Sequence, residues 1–218
     1  MSSPYQSLLA LSVAAVLVSA VTVLWLGPIR SVLAAMSTQG FALGGVAALL
    51  GVHAGDYTLV VTAGVVVAIK GVGAPAILRR MAGPDLSRRE VRPVVNVPAS
   101  LIAAATLAFL AFATTRNLVS LVPAPAGTLL PVGFATVLVG FFVLIARRMP
   151  VYQMVGILLV DNGVASIAFL LSAGVPLLVE LGASLDVLLG VVVLVALGSR
   201  LREHHGDLHL DALQELHD

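Results

Sequence analysis

The chain has 218 residues, 59% hydrophobic and only 11% charged, with a mean hydropathy of +1.07. A soluble domain carries roughly 25% charged residues, so a water-coated globule is excluded and lipid must be the main solvent. A net charge of +1 makes no case for nucleic acid, and the absence of cysteine removes disulfides and thiolate-held iron–sulfur clusters.

A membrane-spanning helix needs about 20 apolar residues to cross about 30 Å of hydrocarbon. Seven segments meet that requirement. The first runs from Leu8 to Leu26 and stops at Gly27-Pro28. It lacks a basic lead-in and exceeds the usual apolar length of a leader, so it reads as a retained helix. The second covers Val32 to Val52 and the third Thr58 to Leu78. A polar, proline-containing connection follows, Arg79 to Pro98. The fourth span is Ala99 to Thr115, and the loop VPAPAG, Val122 to Gly127, leads to the fifth, Leu129 to Ala146. The sixth runs from Val151 to Leu171 and the seventh from Val175 to Gly198.

A polar tail ends the sequence. Leu210, Leu213 and Leu216 recur every three residues with acids on the other face, the pattern of a short amphipathic helix suited to a cytoplasmic partner. Its histidines fit no closed zinc spacing. The expected fold class is an all-α integral membrane protein with seven transmembrane helices. Its expected parts are four N-terminal helices in 1–121, three more in 122–200 and a cytoplasmic tail in 201–218.

Orientation follows from basic residues in short loops. With seven spans, one side holds only Arg116. The other holds Arg30, Arg79, Arg80, Arg88, Arg89, Arg92, Arg147, Arg148, Arg200 and Arg202. This places the N-terminus outside and the C-terminus in the cytoplasm.

Four ionisable residues fall inside predicted spans: Lys70, Asp161, Glu180 and Asp186. A charge at the centre of a spanning helix costs about 2.5–3.5 kcal/mol even on insertion scales, so none is expected to face lipid. At 1.5 Å per residue, Asp161 and Asp186 lie about 18–20 Å below the outer end of a hairpin formed by the last two spans. Lys70 lies at a similar depth and Glu180 higher. Gly182, Ala183, Asp186 and Gly190 share a small-residue face that suits close helix packing. In KGVGAP, Gly71, Gly73 and Pro75 loosen the helix after Lys70, and a kink there would free carbonyls near the ammonium. The GVG triplet follows no strand and is no dinucleotide site. His53 and Asp56, read as an outer loop, make an incomplete metal-ligand set. Two readings of the buried charges remain open at this point: ion pairs that pin helices together, or a path for protons or ions.

The stretches QMVGILLVDNGV, Gln153 to Val164, and GVPLLVELGASLDVLLG, Gly174 to Gly190, resemble the E-type membrane subunit of hydrogenase-4 and related group-4 hydrogenase or formate hydrogenlyase complexes. Lys70 and Pro75 match a lysine and a proline that this family carries in an earlier helix, and LDALQEL matches its short acidic tail. The acid before Asn162 is Asp161 where the family usually carries glutamate.

The resemblance implies a seven-helix subunit of the cell (inner) membrane whose last three helices are similar to the K-type subunit of respiratory complex I. It implies a non-catalytic part of an oxidoreductase complex, with Asp161, Glu180, Asp186 and Lys70 contributing to a proton path and Asn162 and Pro75 supporting it. No cofactor is expected in this chain. Nickel and iron–sulfur centres are expected in partner subunits, namely a cytoplasmic hydrogenase-like module beside antiporter-like and H-type-like membrane subunits. The alternative is a subunit of a multisubunit cation/proton antiporter; a stand-alone transporter or receptor fits less well, since aromatic residues total 5% and the loops are short.

Overall fold

Several of the apolar runs begin or end where the sequence supplies a breaker or a cap. The computed structural model describes residues 4–82 and 94–172. The predicted seventh span with Glu180 and Asp186, the tail, and the arginines at 88, 89 and 92 lie outside the described residues.

Helix α1 (Pro4–Trp25) stops ahead of Gly27-Pro28, and Pro28 leads into α2 (Ile29–Ala54). A two-residue reversal ends α2. Gly55 takes a left-handed φ of 68°, a conformation open to glycine without a side-chain penalty. Asp56 then caps α3 (Tyr57–Val66), its carboxylate accepting from the N–H groups of Thr58 at 2.8 Å and Leu59 at 3.3 Å. A π-helical segment, Val67–Gly73, joins α3 to α4 (Ala74–Ala82), and the three form one continuous span, Tyr57–Ala82.

Asn96 caps α5 (Val97–Thr114) through a 3.0 Å bond from the Ala99 N–H, with Pro98 in the first turn. A single turn, α6 (Arg116–Val119), precedes α7 (Ala126–Ala146) and α8 (Pro150–Ser172). Six of these units are long and apolar enough to cross a membrane. They coincide with the first six predicted spans, and there is no strand among the described residues.

Helices approach one another through glycine. A Cβ added at Gly140 would lie 2.7 Å from the Val160 nitrogen, and one at Gly163 would lie 2.7 Å from the Val137 nitrogen. The α7–α8 hairpin is therefore packed backbone to backbone, as small residues permit in membranes. On α2, Gly40, Gly44 and Gly51 face the third span in the same way. Helix α5 sits at the edge: its buried positions are Ser100, Ala104 and Ala111, while Ile102, Phe109 and Phe112 are exposed.

The interior consists of two apolar clusters stacked along the bundle axis. One gathers Leu24, Met36, Leu78, Val143 and Leu159. The other gathers Leu9, Leu43, Val66, Leu130 and Phe169. On α2 the first ends at Met36 and the second resumes at Leu43; on the third span the gap lies between Val66 and Ala74; on α8 it lies between Leu159 and Ala165. The polar residues of the candidate site fall in these gaps.

Candidate functional site: a polar layer between two apolar cores

Lys70 Nζ lies 2.9 Å from Asp161 Oδ2, with side-chain exposures of 4% and 13%. This ion pair joins the π-helical segment to α8. Beside it, Asn162 Nδ2 donates to Gln39 Oε1 at 2.7 Å, and Gln39 Nε2 donates to the Val16 carbonyl at 3.0 Å. Gln39 is fully buried and Asn162 is 2% exposed. Consecutive residues on a helix point about 100° apart. Asp161 and Asn162 therefore reach different neighbours, the third span and α2. One dipeptide ties α8 to three other helices, since Gln39 carries the link on to α1.

The amine owes its setting to the local backbone. Ala74 N–H bonds to the Ile69 carbonyl, the wider spacing of a π-helix. Pro75 has no N–H to return to Gly71, its partner in a regular α-helix. The Ser37 hydroxyl donates to that Gly71 carbonyl from across the α2 interface. The sequence suggested a proline kink with carbonyls freed toward Lys70. The structure instead widens the helix before Pro75, and α2 takes up the Gly71 oxygen. Such widenings occur frequently at functional sites.

Gly40 makes this approach possible. A Cβ there would meet the Lys70 carbonyl oxygen at 2.5 Å. Two buried oxygens of α8, Asn162 Oδ1 in the layer and Ser166 Oγ just beyond it, make no hydrogen bond among the described residues. They belong to residues one turn apart on α8.

Of the residues singled out in the sequence, Lys70 and Asp161 meet directly, Asn162 lies beside them, and Pro75 is buried one turn beyond the lysine. Glu180 and Asp186 lie outside the described residues. Of the pair read as a loop, Asp56 lies in the connection between α2 and α3, whereas His53 does not. His53 belongs to the last turn of α2 and stacks on Tyr5 with ring centroids 3.9 Å apart, while Asp56 is engaged as a helix cap.

Gln39 and Arg147 are functional neighbours that the sequence pattern does not single out. Gln39 was visible as a lone amide in an apolar span. In the sequence Arg147 carries only an orientation signal. It is 6% exposed, its Nη2 donates to the Leu24 carbonyl at 2.7 Å, and its guanidinium lies 5.4 Å from the centre of the Tyr152 ring. The Tyr152 hydroxyl donates to the Gly27 carbonyl, so the α7–α8 turn secures the end of α1.

Six membrane-length helices among the described residues, around a buried ion pair, define a multi-pass α-helical membrane protein. Within that class, the chain belongs to the same family as "Uncharacterized protein Rv0085" of Mycobacterium tuberculosis (strain ATCC 25618 / H37Rv). The two are 41% identical over 201 residues, covering 92% of this chain and 91% of the relative. No family model matches the chain, and no solved structure matches it.

Proposed function

We propose that this protein is a cell-membrane subunit of a group-4 hydrogenase-like, complex I-related oxidoreductase, and that its buried charges take part in proton translocation driven by redox chemistry in partner subunits. The observation that carries the reading is the Lys70–Asp161 pair between two apolar cores. Ionisable groups at membrane depth are costly and mark ion paths by default. The Gln39–Asn162 amides extend the polar layer sideways, and the Ser166 hydroxyl adds a polar atom one turn beyond Asn162. In this reading the chain has seven spans, with the N-terminus outside and the C-terminus in the cytoplasm. Glu180 and Asp186 continue the path. Nickel and iron–sulfur centres reside in the partner chains, consistent with the lack of cysteine here.

Two experiments test the reading. Purification in mild detergent through an affinity tag is expected to bring down a nickel-site large subunit and iron–sulfur chains. Recovery of antiporter subunits alone would overturn the redox assignment. The second experiment separates conduction from pinning. Removing one partner of a buried pair costs about 3–5 kcal/mol, whereas replacing both by apolar groups is often neutral or stabilising. Lys70→Met is therefore expected to destabilise the protein, and K70M/D161L to recover most of the loss. In vesicles holding the complex, the double variant is expected to keep electron transfer and lose redox-coupled proton movement. Full proton movement in that folded double variant would leave the pair with only a packing role.

A further inference from the structure

An open groove of about 520 Å³ runs along the outside of the bundle between α2 and the third span. Arg30, in the first turn of α2, and Arg79, in the last turns of α4, line one end. Ser37 and Gly71, bonded across the interface, line it further in. Arg30 is seven residues from Ser37 and Arg79 eight from Gly71. Both arginines thus lie roughly 10–12 Å along the helices from that bond, at one level. From Arg30 to Phe41 the groove extends about 16 Å, close to half of a bilayer core about 30 Å thick. Its course therefore matches one leaflet, from the interface to the midplane.

The lining follows the same division. Beyond the arginines the course of the groove is lined by Leu33, Pro75 and the small side chains of Ala34 and Ala76, while Phe41 and Val72 stand half-exposed toward its inner end. A groove with two guanidinium groups at the membrane surface and hydrocarbon below complements a molecule with an anionic head and an apolar tail. Guanidinium pairs with phosphate oxygens in bidentate fashion, and basic pockets between spanning helices suit anionic lipid head groups.

We infer that this groove is a binding site for an anionic phospholipid of the arginine-side leaflet. The phosphate lies between Arg30 and Arg79, and one acyl chain runs past Ala34 and Ala76 toward Phe41. The site abuts the backbone that carries Lys70, because Gly71 lines the groove on one side and Ser37 anchors it on the other. An occupying acyl chain holds α2 against the π-helical segment and so supports the ion pair behind it.

The inference rests on the membrane reading of the bundle, and the two fail separately. Release of the protein from membranes by alkaline carbonate without detergent would sink the membrane reading. The groove is tested on detergent-purified, delipidated protein titrated with phosphatidylglycerol or with phosphatidylcholine, following thermal unfolding. Each variant is compared with its own lipid-free melting temperature. Phosphatidylglycerol is expected to raise the melting temperature well above any effect of phosphatidylcholine. R30Q/R79Q is expected to weaken phosphatidylglycerol binding at least tenfold. A34L/A76L, which fills the groove at exposed positions and keeps both charges, is expected to do the same. Equal stabilisation by the two lipids, or an unchanged phosphatidylglycerol response in both variants, would overturn the assignment. So would a photo-crosslinker at Phe41 that captures a protein helix instead of lipid in native membranes.

Discussion

Gly40→Ala tests the contact on which the polar layer depends. The added Cβ would lie 2.5 Å from the Lys70 carbonyl oxygen, and ordinary contact begins at 3.4 Å. The α2 backbone and the π-helical segment must therefore separate by about 0.9 Å, the difference between these two distances. The opposing atoms are main chain, so no side-chain rotation relieves the clash. Overpacking of this kind costs about 1–3 kcal/mol. The same displacement stretches the Ser37–Gly71 bond and draws Lys70 back from Asp161. Gly64→Ala is the matched control: the same substitution in the neighbouring helix, with no atom within 4 Å of the new Cβ. There the gain in helix propensity predicts a stability equal to the parent or about 0.5–1 kcal/mol higher. Unfolding each protein in mixed detergent micelles by increasing the denaturing surfactant gives both values. If Gly40→Ala matched the parent or the Gly64→Ala control, the close approach of α2 to Lys70 would be refuted.

Two further outcomes follow from the same structure. Gln39→Leu leaves the Asn162 amide and the Val16 carbonyl without their partner, at a cost of about 1–3 kcal/mol. Q39L/N162L is expected to lose less than the sum of the single variants, as measured by a double-mutant cycle; strict additivity would mean that the two amides are energetically independent. Asp56→Ala removes the α3 cap and is expected to cost about 0.5–2 kcal/mol, whereas Asp56→Asn retains most of it. Hydrogen exchange at Thr58 and Leu59 reads this directly, and unchanged protection of those amides in Asp56→Ala would contradict the capping role.

Much of the architecture is legible in the order of residues. Long uncharged runs in a chain with this little charge have one stable solution, because in hydrocarbon each backbone N–H and C=O must be satisfied within its own helix. That is why six spans lie where apolar length and the breakers Gly27-Pro28 and Gly55-Asp56 place them. Depth was legible too. Counting residues from the ends put Lys70 and Asp161 at one level, since a helix advances a set distance per residue.

Rotation and neighbourhood were not legible, because an all-round apolar helix carries no amphipathic stripe to say which face turns inward. Only the packed bundle shows that Asp161 addresses the third span while Asn162 addresses Gln39 on α2. Only the packed bundle turns Arg147 from an orientation signal into a buried clamp on the end of α1. Gly40 looks like any small residue in an apolar run until Lys70 lies against it. Sequence determined where the six described helices long and apolar enough to cross a membrane begin and end, and that Lys70 and Asp161 lie at one level along them, because those depend on length and hydropathy along one chain. Tertiary structure alone decided which buried groups meet, because a pair 2.9 Å apart requires two helices, 91 residues apart at Lys70 and Asp161, to settle their rotation against each other.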